Sequence, residues 1–310
     1  MIKIVEVGPR DGLQNETQTI PTRTKVDFIN ALSTSGVHEI EVTAFVSPHR
    51  VPLLKDAEEV LEKIQRHPNV VYSALIPNSR GLDRALDLAS GVDRISLFTA
   101  ASESFNRKNI NTDLEGSLKR FTPVLSRARS MKLPVRIYIS TAFWCPFEGK
   151  ISPEQVTDLC LRLMDMGVEE LSISDTIGKA TPDEVAALLE HLLPQIPPEH
   201  IAVHFHDTYG RGRANVLESV FHGIQIIDAS AGGLGGCPFA PGATGNVGTQ
   251  AVVQALEDAG FSTGVDMDAL SAAVELLSPW IPSPTPPTKE TLCCTTCEFS
   301  EDRGCRKTRG

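Results

Sequence analysis

The chain has 310 residues, 41% of them hydrophobic and 22% charged, which suits one large α/β core without a second domain. A formal net charge of −10 repels a phosphate backbone and argues against a nucleic-acid partner, while a local Arg or Lys could still hold a small anionic substrate. No apolar run approaches the ~20 residues of a membrane span, and an odd count of seven cysteines, three of them scattered through the body, argues against a secreted disulfide framework and for a reducing, cytoplasmic setting.

Met1 is followed at once by Ile-Lys-Ile-Val-Glu-Val, which reads as a strand and not as a targeting segment. Short β-branched runs then predict further strands, giving the series 2–7, 38–43, 70–75, 94–98, 135–140, 170–174, 201–204 and 226–229. Segments with helical spacing lie between them, such as Val26, Ile29, Ala31 and Leu32 early on, and Val156, Leu159 and Leu163 later. Pro21-Thr22, Ser152-Pro153 and Thr181-Pro182 supply helix-start signals. Eight strand–helix units in series predict a single (β/α)8 TIM barrel, with an open doubly wound sheet as the other α/β solution. The open sheet would want a glycine-rich phosphate loop after its first strand, and Gly8-Pro9-Arg10-Asp11-Gly12 is not one.

The distribution of polar residues favours the barrel. Arg10 and Asp11 follow strand one, Glu41 lies in strand two and Asn78 follows strand three. Ser140 and Thr141 end strand five, Asp175 ends strand six, and His204 and His206 end strand seven. Barrel enzymes gather their chemistry from the C-terminal ends of many strands, whereas an open sheet concentrates it at one switch point. Past the eighth helix, near 246–260, one more helical stretch covers 267–277 before a Pro-rich run at 282–287. The expected organisation is a catalytic barrel over residues 1–280 and a flexible, disordered, Cys-containing tail over 281–310.

His204-Phe205-His206-Asp207 is the strongest local signal. Residues i and i+2 of a strand point the same way, so both imidazoles can share a cation; taken alone, they are as well read as two hydrogen-bonded polar residues in a barrel mouth. Asp11 tips the balance, because strands seven, eight and one are neighbours in a closed eight-strand barrel. Gly232-Gly233-Leu234-Gly235-Gly236-Cys237-Pro238 can bring its backbone close to a ligand and present a thiol, or be a plain flexible connector. Asn246 by itself reads as a helix N-cap. Arg10 with Glu41 reads as a structural pair, or as a fixed positive charge where an enolate develops. Glu103, Lys108 and Asn109-Ile110-Asn111 are either solvated loop or substrate contacts.

Together these residues resemble the 3-hydroxy-3-methylglutaryl-CoA lyase family of metal-dependent barrel lyases and condensing enzymes. The matches run in order through residues 5–16 (Val-Glu-Val-Gly-Pro-Arg-Asp-Gly-Leu-Gln-Asn-Glu), Phe45-Val46-Ser47-Pro48, Lys108-Asn109-Ile110-Asn111, Cys145-Pro146-Phe147-Glu148-Gly149, Asp175-Thr176-Ile177-Gly178, residues 204–210 and residues 233–238. They cover about residues 1–275. The Arg-Asp opening and the His pair are shared with homocitrate and isopropylmalate synthases, while the Gly-Leu-Gly-Gly-Cys-Pro loop is specific to the lyase.

The resemblance implies a divalent cation, Mg²⁺ or Mn²⁺, held by Asp11, His204, His206 and Asn246. It implies retro-Claisen cleavage of 3-hydroxy-3-methylglutaryl-CoA to acetyl-CoA and acetoacetate, with Arg10 stabilising the thioester oxygen as an enolate and Cys237 protonating the enolate carbon. Glu41, Asp175 and His204 stand as candidate bases. Arg10, Asn109, Gly235 and Gly236 would contact substrate, and a homodimer with no membrane partner is expected. Departures from the family pattern include Phe143-Trp144 before Cys145, Thr141, Thr17 and Gln250. Aromatic bulk near the end of strand five puts the acyl group in doubt, and Gln250 weakens the expected support of the metal ligands. Other readings are a lyase for a different 3-hydroxy-3-substituted acyl-CoA and a non-catalytic barrel that binds acyl-CoA or metal. Cys293, Cys294, Cys297 and Cys305 in the tail read as dispensable thiols rather than a metal site.

Overall fold

The eight β-branched runs become eight parallel strands in the computed structural model, which describes residues 1–235 and 245–281. They are β1 (Lys3–Glu6), β2 (Glu39–Ala44), β3 (Val71–Leu75), β4 (Arg94–Ala100), β5 (Val135–Ser140), β6 (Glu170–Asp175), β7 (Ile201–Phe205) and β8 (Ile226–Ala229). Each pairs with its sequence neighbours, and β1 closes on both β8 and β2, with Val5 opposite Asp228 on one side and Glu39 on the other. The sheet is therefore a closed barrel, and β7, β8 and β1 are adjacent as the eight-unit count requires.

Helices α1 (Thr22–Leu32), α2 (Ala57–Lys63), α3 (Ser79–Leu86), α4 (Glu103–Ile110), α5 (Leu114–Ser130), α6 (Pro153–Asp165), α7 (Pro182–Leu192), α8 (Gly212–Phe221), α9 (Thr249–Asp258) and α10 (Met267–Glu275) accompany the barrel. Start signals act as the sequence suggests: the Ser152 hydroxyl accepts from the Gln155 N–H before α6, and Thr181 with Glu184 forms a capping box at α7. Asn78 proves to be the N-cap of α3, accepting from the Gly81 N–H, and not a residue of the mouth. The stretch after β4 that could have been loop is helix α4, entered through a Ser102 cap. Residues 282–310 of the expected tail lie outside the described residues. Among those described, no helix is long and apolar enough to cross a membrane.

Strand alternation sorts the core into two parts. Outward residues such as Ile4, Ile40, Ile137, Ile139, Ile173, Val203 and Phe205 join helix residues such as Phe28, Ile29, Val156 and Leu163 in one apolar cluster. Burying each such side chain contributes about 1.5–3 kcal/mol. The barrel interior is different. Barrels usually fill it with branched aliphatics, but here β5 alternates Val135, Ile137 and Ile139 outward with Arg136 and Tyr138 inward, and Arg136 is wholly buried.

The inward charges are paired. Arg94 donates to Glu39 (2.9 Å) and Glu170 (3.1 Å) near the barrel floor. Arg136 faces Glu170 at 3.3 Å and donates to Asp228 above it. Ser172 also donates to Asp228, at 2.8 Å. This ladder leads from the floor toward the mouth.

Candidate active site

Arg10 and Asp11 sit in a tight π-type turn, Gly8–Gly12, that leaves β1. The turn carries both side chains back over the barrel axis. Arg10 donates to Glu41 on β2 and to Asp11 beside it, and its guanidinium lies 5.0 Å from the centroid of the Tyr138 ring. Glu41 is saturated: it also accepts from Ser96 and from the Tyr138 hydroxyl (3.1 Å), and it has no solvent exposure. Its carboxylate fixes the direction of Arg10. Neither Tyr138 nor Ser96 was picked out from the sequence, although inward parity on β4 and β5 could have found them.

His204 and His206 project from the end of β7 to the same side, their rings 5.5 Å apart. His204 Nε2 lies 3.9 Å from Asp11 Oδ2, and one ligand atom from each of Asp11, His204 and His206 falls within 4.8 Å of the others. Behind this group, His204 Nδ1 rests 3.2 Å from Asp228 Oδ2. A carboxylate at Nδ1 fixes the ring orientation and directs Nε2 inward, the usual support of a metal-binding imidazole. Asp228, the top of the charged ladder, was another residue the sequence reading missed.

Asn246 joins the cluster by backbone pairing. Residues 245–247 run beside the end of β7: Asp207 N–H donates to Gly245 (2.8 Å) and Val247 N–H to Phe205 (3.0 Å), which sets His206 opposite Asn246. The N-cap of α9 is Gly248, so Asn246 is not a capping residue. Its Nδ2 donates to Asp11 Oδ2 (2.9 Å) and to the Leu234 carbonyl (3.2 Å). Gly235, at φ 102°, packs against it; a Cβ there would come within 2.9 Å of Asn246 Nδ2 and 3.0 Å of Gly12 Cα. Only glycine permits that approach.

The electrostatics suit a cation. Burial opposes ionisation of Asp11, but Arg10 and the two imidazoles outweigh it and bring its carboxyl down to about 2. Burial, with His204 adjacent, pulls His206 down to about 4, so its imidazole is neutral and free to ligate near pH 7. Oδ1 of Asn246 and Nδ1 of His206 are buried without a hydrogen-bond partner. Two orphaned lone-pair donors beside a carboxylate and a second imidazole fit a divalent metal ion.

Other expected residues fall elsewhere. Asp175 belongs to the outward parity of β6 and accepts from the Lys179 (3.1 Å) and Ala180 (2.8 Å) N–H groups; burial raises it to about 6. It organises the loop after β6 and is not directed at the cluster. Asn109 is exposed on α4. Gln250 accepts from the Gly232 N–H (3.0 Å), so it anchors the root of the glycine loop and does not support the metal ligands. Gly236 and Cys237 lie outside the described residues. Phe143 packs on Phe205, 6.1 Å between centroids, and Trp144 turns to Glu184 and Lys179. Phe205 sits between the two histidines on the opposite face of the strand, so the aromatic pair points away from the cluster.

Comparison with known proteins agrees with this arrangement. A profile described as HMGL-like matches residues 1–277. The 3-hydroxy-3-methylglutaryl-CoA lyase, cytoplasmic, of Rattus norvegicus is 48% identical over 276 residues, spanning 89% of this chain and 80% of that protein. A hydroxymethylglutaryl-CoA lyase structure from Pseudomonas aeruginosa superposes with a TM-score of 0.89 at 43% identity, covering 94% of this chain and 97% of the other. An HMG-CoA lyase from Acinetobacter baumannii, in complex with coenzyme A and 3-methylmalate, gives a TM-score of 0.87 at 37% identity, covering 98% of each chain.

Proposed function

The chain belongs to the HMGL-like family, and from that premise we propose that it cleaves 3-hydroxy-3-methylglutaryl-CoA to acetyl-CoA and acetoacetate. The observation that carries this reading is the convergence of Asp11, His204, His206 and the orphaned Asn246 oxygen beside a fixed Arg10.

Asp11, His204, His206 and Asn246 would hold Mg²⁺ or Mn²⁺, since a carboxylate, an amide oxygen and two imidazoles suit either ion, and four protein ligands leave room for substrate oxygens. When bound, the cation supplies Lewis acidity that makes the C3 hydroxyl a better proton donor and orients it. Breaking the C2–C3 bond leaves the electron pair on C2, conjugated with the thioester carbonyl. Arg10, already aimed by Glu41 and Tyr138, stabilises that oxygen as negative charge develops. Of the three candidate bases, Glu41 is committed to Arg10, Ser96 and Tyr138, and Asp175 to its own loop. His204 faces the cluster, but its Nδ1 is held by Asp228 and its Nε2 would go to the cation, which leaves it no lone pair for the C3 hydroxyl proton. The Cys237 thiol returns a proton to C2.

The aromatic bulk of Phe143 and Trp144 gives no ground for a different acyl group, since Phe143 packs on Phe205 and Trp144 turns to Glu184 and Lys179. Because they face the helices, they leave the mouth free for the methylglutaryl group. A homodimer and a cytoplasmic setting complete the reading. Its test is acetoacetate release from 3-hydroxy-3-methylglutaryl-CoA, assayed with Mg²⁺ and again with EDTA. Cation-dependent release supports it; turnover only of a longer 3-hydroxy-3-substituted homologue, or binding with no turnover, overturns it.

A further inference from the structure

Glu6 is a buried ionisable group that the chemistry above does not use. It sits at the mouth end of β1 with no solvent exposure, on the outward parity that faces α9. Its Oε1 accepts from the Gly8 N–H (2.8 Å) and the Ala231 N–H (2.8 Å), and its Oε2 from the Thr249 hydroxyl (2.7 Å). Among the described residues no cationic side chain pairs with it, and burial pushes the carboxyl up to about 7 against the pull of these three hydrogen bonds. Keeping an uncompensated carboxyl in the interior costs stability. An apolar residue would avoid that cost but would orphan three donors.

The three partners occupy telling places. Gly8 opens the turn that carries Arg10 and Asp11. Ala231 opens the 3-10 turn 231–233 from which the glycine segment departs. Thr249 is the first residue of α9, three positions after Asn246. A Cβ at Gly8 would come within 2.6 Å of Glu6 Oε1, so Gly8 leaves the space that the carboxyl fills. One side chain thus references the segment bearing Asp11 to the segments on either side of Asn246, and those two ligands meet at 2.9 Å.

We propose that Glu6 is a positioning residue, whose three hydrogen bonds register the Asp11 turn against the Asn246 segment and so hold the metal ligands in mutual alignment. This rests on the cation-site reading. A misplacement of about 1 Å at such a site costs roughly 100-fold in rate.

The test compares Glu6→Leu, Glu6→Gln and Thr249→Val in the full chain, by Mn²⁺ titration followed by electron paramagnetic resonance and by kcat and KM for 3-hydroxy-3-methylglutaryl-CoA. Glutamine retains an acceptor for Gly8 and Ala231, and its NH2 can donate to the Thr249 hydroxyl. Glu6→Leu is expected to weaken Mn²⁺ about 10-fold and lower kcat about 100-fold with KM changed far less, while Glu6→Gln restores both to within about 5-fold of the parent. A folded Glu6→Leu with Mn²⁺ affinity and kcat within about 2-fold of the parent overturns the proposal, as does a Glu6→Gln no better than Glu6→Leu. Should Glu6→Leu fail to fold, Thr249→Val decides: a several-fold loss of Mn²⁺ affinity supports the proposal and an unchanged affinity overturns it. If the parent binds Mn²⁺ but releases no acetoacetate, the substrate reading falls, and the Mn²⁺ comparison still judges Glu6.

Discussion

The lower and upper halves of the barrel interior are both polar, yet they are built on opposite principles. In the lower half, charge meets opposite charge: Arg94 bridges Glu39 and Glu170, and Arg136 lies between Glu170 and Asp228. In the upper half, Arg10 satisfies Glu41 and one oxygen of Asp11, and the remaining groups are acceptors: an imidazole nitrogen and an amide oxygen without a donor. Buried polar groups ordinarily find partners. The ladder's leftover atoms are of both kinds, Arg136 Nε and Nη1 as donors and Glu39 Oε1 and Glu170 Oε1 as acceptors, so opposite charge answers them within the protein, whereas the lone pairs of His206 and Asn246 fit an added cation. That difference separates scaffold from chemistry inside one barrel, and Asp228 joins the two by holding Arg136 below and His204 above.

The sharpest way to break the comparison is to remove a lone pair from the upper half. His206→Ala should lower turnover at least about 1000-fold, because the several kcal/mol supplied by a Lewis acid is lost, while thermal stability without added metal stays near that of the parent. Acetoacetate release and differential scanning calorimetry check the two halves of this statement. A matching loss of stability would mean that the upper cluster is scaffold too.

Removing one partner from the lower half should do the reverse. Arg136→Leu leaves Asp228 buried without its guanidinium and takes from Glu170 one of the two it faces, and unfolding in urea should show a loss of about 3–5 kcal/mol. A loss under about 1 kcal/mol would show that the ladder is not mutually dependent.

Titration sharpens the same contrast, since a carboxyl with a cation partner and one without respond oppositely to pH. Arg136, after burial, is the main influence on Asp228, whose pKa is lowered; Glu6 has only hydrogen bonds and rises from 4.5 to about 7. A raised folded-state value means that Glu6 favours folding most below its unfolded pKa, and that this contribution is lost as pH climbs through about 7. Glutamine does not titrate. The stability of Glu6→Gln relative to the parent should therefore increase between about pH 5 and pH 8, by up to about 3 kcal/mol. A difference that stays flat with pH would place the Glu6 carboxyl at its ordinary value.

How much of this was legible in sequence depends on which periodicity a residue obeys. The eight strands and their barrel closure follow from β-branched runs alternating with helical ones, and the His pair with Asp11 follows from i, i+2 parity and strand adjacency. Arg136, Tyr138 and Asp228 were equally available, because they alternate with aliphatics in runs already read as strands. Glu6 was not. An outward polar residue at the end of a strand has the same local pattern whether it meets water or a helix N-terminus, and only the packing of α9 distinguishes them. Asn246 by itself has the local pattern of a cap and enters the ligand set only through the family resemblance, for a related reason: its pairing with β7 spans some forty residues, beyond any local signal.

The smallest expected effect concerns Phe143 and Trp144, whose bulk suggested a reshaped acyl pocket. Trp144 is half-buried, donates from Nε1 to Glu184 at 3.0 Å and carries the Lys179 ammonium 3.6 Å from its ring centroid, while Lys150 pairs with Glu184 at 2.9 Å. These contacts tie the hairpin 144–150 to the loop after β6 and to the first turn of α7, on the helix side of the sheet. Replacing the indole removes a cation–π contact and a hydrogen bond at a partly exposed position, which together are worth about 1–2 kcal/mol of stability. None of that energy is directed at the cation site. Trp144→Leu should consequently leave the preference for 3-hydroxy-3-methylglutaryl-CoA over a longer homologue within about 2-fold of the parent. A larger change in that ratio would mean that the strand-five loop reaches the acyl group after all, and that the division of inward from outward residues at this rim does not hold in the working enzyme.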